Sequence, residues 1–260
     1  MIALPLLLVI PLVMSTLKTA LLRAHALPIR WRIDAGGAPP VVRTAGRILT
    51  PALLILSAAM YPLLRGIDLF EYYGALLPLN GAIRDAASGA AATTLFLCVL
   101  YQIWLLTGQM RIAPSINHRR VIRRCAMAPL TAIFGSVVEE ILFRGVVMAD
   151  LMRIDALGAA GPIAASAFIF AAAHYVRSAK RHWTIAGHLI LGLFLSVAFW
   201  KTGNLWLAIG LHAGGILMIM GTRPILKYRG PAWLTGASIY PYAGVVGALG
   251  LLMMTMMMIG

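Results

Sequence analysis

The sequence predicts an all-α fold, a polytopic transmembrane bundle of about eight helices. Three observations lead there. Of 260 residues, 61% are hydrophobic and only 12% are charged, far from the balance of a globular domain. The charges cluster, leaving long uncharged runs at 1–17, 48–64, 86–110, 125–138, 156–176, 182–200, 202–222 and 230–260. The clusters between those runs alternate between rich and poor in Lys and Arg.

A helix needs about 20 apolar residues to cross the hydrocarbon core, and seven of the runs supply or hold that length. The first has no basic residue before it, and Lys18 follows it, so it reads as a retained helix and not as a cleavable signal. The run at 125–138 stops at Glu139 and Glu140, but apolar sequence resumes from Ile141 to Leu151. It therefore reads as one helix over 126–152 with charges in its middle. Cys98 lies inside a span and Cys125 at a helix edge, which gives no disulfide framework. Met253 to Met258 is Met-rich, ordinary lipid-facing filler. With no internal repeat and no linker, residues 1–260 form a single membrane domain.

The net charge of +14 would suit a nucleic-acid partner, but its placement excludes that reading. The odd-numbered connections hold 17 Lys and Arg and the even-numbered ones hold 4, the bias of the positive-inside rule. Odd loops then face the cytoplasm and both termini face outward, as in a bacterial inner (plasma) membrane protein. The clusters Arg111–Arg124 and Arg177–Arg181 anchor to membrane lipid, with no interleaved aromatic residues to stack on bases.

Of eight acidic residues, Asp34, Asp68, Glu71 and Asp85 fall in loops, and Asp150 and Asp155 flank a helix end. Only Glu139 and Glu140 sit deep in an apolar helix, followed by Arg144. Mid-membrane charges cost about 2.5–3.5 kcal/mol each on insertion scales, and such residues are functional candidates. At about 100° per residue, Glu140 and Arg144 share a face and can pair. Glu139 points away from Arg144, towards another helix. A purely structural role fits Glu140 and Arg144 as well as chemistry does, and fits Glu139 less well.

Six histidines are candidates to face Glu139. His25 and His118 lie in basic loops and His182 at a helix start, all interfacial positions. His174 closes the run Phe170-Ala-Ala-Ala-His174, and His212 sits in Gly210-Leu-His212-Ala-Gly214-Gly215. Small residues around both let another helix approach. His188 has only Gly187 and Gly192 nearby. A carboxylate and two imidazoles in a low-dielectric site can activate water, the carboxylate as general base and an imidazole N–H as oxyanion donor. Glu139, His174 and His212 are also a ligand set for a divalent metal such as zinc, and spacing does not separate the two. There is no H-E-x-x-H, no G-x-S-x-G and no pair of intramembrane aspartates.

Glu139-Glu140-x-x-x-Arg144, Phe170-x-x-x-His174 and the Thr-Gly-Asn-Leu-Trp run leading to His212 together resemble the CaaX protease and bacteriocin-processing (CPBP, Abi) family. Those are intramembrane glutamate proteases that include the Ras-converting prenyl protease. The resemblance covers Glu139 to about Ile216 and marks 126–221 as a catalytic core, while residues 1–125 match nothing recognised. It implies an intramembrane endopeptidase acting on a membrane-anchored or C-terminally processed protein, with no cofactor required. Glu139 would be the base, with His174 holding the water and His212 contributing to the oxyanion site. Glu140 and Arg144 would shape the site. Many members carry Asn four residues after the last histidine as a second oxyanion donor, and here that position is Ile216. Asn204 is one candidate to replace it. The departure keeps open a non-catalytic relative acting as a peptide-binding or immunity scaffold. A transporter relaying protons through Glu139 is also open, though inverted repeats are missing.

Convergence of Glu139, His174 and His212 is the sharpest structural expectation. His174 lies two residues from the end of its uncharged run and looks too shallow, so its helix must continue past Val176 towards Lys180, with Arg177 and Lys180 snorkelling.

Overall fold

A computed structural model describes residues 2–24, 26, 39–113, 117–177 and 184–260. His25, Asp34, Lys180, Arg181 and His182 lie outside the described residues. The fold is all-α and built for a membrane, inverted relative to a soluble protein. Leu8, Leu12, Leu95, Leu106, Leu130 and Met256 face outward, while Glu140, Arg144, Asp150, His188 and His212 are buried. Lipid solvates the first set, and the second must find partners inside.

Among the described residues, four helices are long and apolar enough to cross a bilayer: α1 (Ala3–Ala24), α2 (Pro40–Leu64), α4 (Ala82–Leu106) and α8 (Ile185–Thr202). Between α2 and α4 a short helix, α3 (Leu69–Leu76), occupies what the sequence assigned to a loop. Its start is set by Asp68, whose carboxylate accepts from the backbone N–H groups of Phe70 and Glu71 at 2.8 and 3.0 Å, an N-cap. After β1 (Met110–Ile112) comes the charged rod: α5 (His118–Glu140), a π-helical segment (Ile141–Met148) and α6 (Ala149–Leu151). The rod begins at His118 and not near residue 126, because the basic stretch also winds into helix, with Arg119 and Arg123 exposed. The shorter apolar helices α7 (Ala160–Arg177), α9 (Trp206–Thr222) and α11 (Val245–Ile259) complete the bundle. Strand β2 (Leu226–Tyr228) precedes the one-turn helix α10 (Ala232–Thr235).

Small residues bring α4 and α9 into backbone contact. A Cβ added at Gly210 would fall 2.1 Å from the carbonyl oxygen of Ala86, and one at Gly214 2.5 Å from that of Ala90. Gly210 and Gly214 form the small-x-x-x-small spacing that permits such an approach. Gly215, grouped with them in the sequence reading, meets nothing within 4 Å. A ribbon not foreseen from sequence pairs β1 with β2 antiparallel, setting Arg111 opposite Lys227. It brings the third and seventh connections to one end of the bundle.

The far end of the rod holds the chain's beginning. Buried Asp150 accepts from the backbone N–H of Ile2 at 2.8 Å and of Ala3 at 3.1 Å, and from the hydroxyl of Tyr61 at 3.1 Å. A residue read as merely flanking a helix thus caps α1 and ties α2 to the rod, with carboxylate acceptors satisfying the orphan donors of a helix start.

Candidate active site

The site forms where the rod meets α7, α8 and α9. Glu139 and Glu140 end the α-helical part of the rod, and the next eight residues wind as a π-helix. Such wider turns are frequent at functional sites, and here two of the segment's carbonyls have partners outside it. Neighbouring hydroxyls take both: Ser166 donates to the Phe143 carbonyl at 3.0 Å and Tyr72 to that of Gly145. The 100° step used above therefore holds only as far as Glu140.

The two carboxylates nonetheless divide as that wheel implied. Glu140 and Arg144 are both fully buried, with Arg144 Nη1 3.1 Å from each Glu140 oxygen. The guanidinium also donates to the Gly192 carbonyl at 2.9 Å and lies 4.8 Å over the Phe170 ring, a cation–π contact. Glu139 faces the other helices. Its Oε2 lies 3.7 Å from His174 Nε2 and 3.8 Å from His212 Nε2, and its side chain keeps 19% exposure. All five residues singled out from sequence thus come together.

Each imidazole is fixed through its other nitrogen. His174 Nδ1 is 2.9 Å from the Phe170 carbonyl oxygen, and a carbonyl only accepts, so Nδ1 carries a proton. His212 Nδ1 is 2.7 Å from Glu140 Oε1, a charge-assisted length. Glu140 therefore serves two partners, Arg144 and His212, where the sequence reading gave it only the first. Phe170, fully buried, is the platform: its ring centroid is 4.3 Å from that of His174, 5.1 Å from Phe143 and 6.0 Å from His212.

Depth arithmetic misjudged the helix ends. His174 lies three residues before the end of α7, His212 ten before the end of α9, and Glu139 twenty-one after the start of α5. They meet because those ends are staggered and the basic start of the rod extends beyond the others. Helix α7 does pass Val176 to Arg177; the expected continuation to Lys180 lies outside the described residues. The close approach of α7 and α8 centres on Ala167, whose Cα would meet a Gly192 Cβ at 2.9 Å, one turn from the Ala171 expected. Asn204 is committed elsewhere. Its Oδ1 accepts from the Trp206 N–H at 3.0 Å and its Nδ2 donates to the Thr202 carbonyl at 3.4 Å, capping α9 about 12 Å along the helix from His212.

Sequence reasoning passed over His188. It stacks on His174 with ring centroids 4.7 Å apart and planes 26° apart. A signal was present: His174 is three residues before α7 ends, and His188 three after α8 begins, which puts them level in an antiparallel hairpin. Among the described residues, no group of three or more His, Cys, Asp or Glu has the geometry to hold a metal ion.

No curated protein and no solved structure matches the chain. Residues 122–218, which carry Glu139, Glu140, Arg144, His174 and His212, do match a family model described as Rce1-like, type II CAAX prenyl endopeptidase, the protease family that these motifs resemble.

Proposed function

We propose that this chain is an intramembrane endopeptidase that cleaves a membrane-anchored or C-terminally processed protein with water activated by Glu139. The observation that carries the reading is the Glu139 carboxylate set between two imidazole Nε2 atoms at 3.7 and 3.8 Å. Both spacings are shorter than two hydrogen bonds of about 2.8 Å laid end to end, so one water can bond to Glu139 and an imidazole together. Glu139 takes the water's proton as it attacks the scissile carbonyl. His174, its Nδ1 proton given to Phe170, offers its Nε2 lone pair to the same water. His212 acts as an imidazolium, donating from Nδ1 to Glu140 and from Nε2 to the oxyanion. Charge then balances throughout. Glu139, Glu140, Arg144 and His212 sum to zero before attack, and the oxyanion replaces the Glu139 charge after it. Glu139 then returns its proton to the leaving amine.

In this reading His212 supplies the contact that Ile216 does not, and no metal is required. Hydrolysis of a quenched peptide, carrying either a farnesylated C-terminal CaaX sequence or a palmitoyl anchor, should survive exhaustive chelation with less than a twofold change in rate. Loss on chelation with recovery on added zinc would replace this mechanism with a metal held by Glu139, His174 and His212.

The orientation proposed is that of a bacterial inner membrane protein with both termini outside. Reporter fusions at Arg119 and Arg181 should read cytoplasmic, and fusions at Glu71 and Gly260 external. A cytoplasmic reading at Gly260 would require an odd number of spans and undo the loop assignment.

A further inference from the structure

The mechanism above leaves one buried imidazole of the site wall unused. His188 is 3% exposed, and its Nδ1 is 2.9 Å from the Thr184 carbonyl oxygen. That bond places the proton on Nδ1 and leaves Nε2 as an acceptor. Nε2 is buried and has no hydrogen-bond partner among the described residues. An unmatched buried acceptor costs about 1–3 kcal/mol, a cost that an apolar ring of the same size would not carry. Packing alone therefore does not account for histidine here.

His174 is clasped between the Phe170 ring at 4.3 Å and the His188 ring at 4.7 Å. Behind His188 stand the edges of Tyr240, at 4.7 Å and 71°, and Tyr242, at 5.7 Å and 86°. The wall is built mainly of aromatic rings, and it flanks one of the two imidazoles beside Glu139. An extended peptide entering this site brings backbone N–H donors into a medium that cannot solvate them, where each needs an acceptor.

We propose that His188 is a substrate-binding residue: its neutral Nε2 accepts a hydrogen bond from a backbone N–H of the peptide beside the scissile bond. The inference rests on the protease reading above and assigns that site a further side chain in contact with substrate.

The test reads binding apart from turnover. In the Glu139→Gln protein, the farnesylated CaaX peptide and its palmitoyl counterpart are titrated by fluorescence anisotropy. Peptides in which single amides near the scissile bond are replaced by esters are titrated alongside. His188→Phe keeps a ring on His174 and removes the acceptor. It should weaken the amide peptide roughly tenfold while the melting temperature holds. One ester peptide should bind the parent and His188→Phe equally. His188→Gln, which restores an oxygen near Nε2, should bind the amide peptide within about threefold of the parent. Equal binding of the amide peptide by the parent and His188→Phe would overturn the proposal. So would a His188→Phe loss that persists with every ester, since that is a packing effect. If neither probe binds and the wild type cleaves neither, the protease reading fails and this inference with it. If the wild type cleaves a probe and His188→Phe cleaves and binds it equally well, only the His188 assignment falls.

Discussion

Glu139→Gln should abolish hydrolysis of the anchored peptide and leave the protein folded in the membrane. The amide keeps the shape of the side chain and removes the lone basic oxygen set between His174 and His212. General-base removal costs about 10²–10⁴ in rate, and under the proposed mechanism it also removes the negative charge that balances a protonated His212. Initial rates of purified protein in micelles should fall at least about 10²-fold, with the melting temperature within a few degrees of wild type. Near-normal turnover by this variant would falsify the assignment of the base.

Glu140→Gln gives a different result, because its carboxylate is fully buried and holds Arg144 and His212 together. Removing one partner of a buried ion pair costs about 3–5 kcal/mol through the charge left behind. For a chain of this size that corresponds to a drop in melting temperature on the order of 10 °C. Activity should be lost as well, since His212 would no longer have the Glu140 carboxylate to hold its ring. Adding Arg144→Leu to Glu140→Gln should recover much of the melting temperature and none of the activity. A Glu140→Gln protein that melts like wild type but is inactive, beside a Glu139→Gln protein that turns over, would mean the two carboxylates exchange roles.

Much of this was legible in the sequence because a membrane makes charge conspicuous. Glu139, Glu140 and Arg144 stand out in an apolar run, and a helical wheel separates the partner of Arg144 from the residue that faces the other helices. The wheel failed where winding changes: nothing in Ile-Leu-Phe-Arg-Gly-Val-Val-Met announces a π-helix, and the hydroxyls that take its carbonyls, of Tyr72 and Ser166, sit on other elements. Depth arithmetic failed for His174 because run lengths mark where charge begins and not where helices end. His188 was missed because its partner His174 is a neighbour only through the hairpin. The Glu140–His212 bond is a contact between helices far apart in sequence, and no periodicity within either one encodes it.

The winding of residues 141–148 also sets a phase relation between the two ends of the rod. Glu139 and Glu140 lie before the segment and Asp150 lies after it, so each residue within it rotates one end against the other. Deleting a single residue there would leave the carboxylates aimed at α7 and α9 and swing Asp150 by roughly a quarter of a turn or more about the axis. The Ile2 and Ala3 N–H groups and the Tyr61 hydroxyl would then face another side chain. The carboxylate pair and the seat of the first helix are in this sense timed to each other, like two cams on one shaft, by the length of a stretch that itself contributes Arg144 to the site.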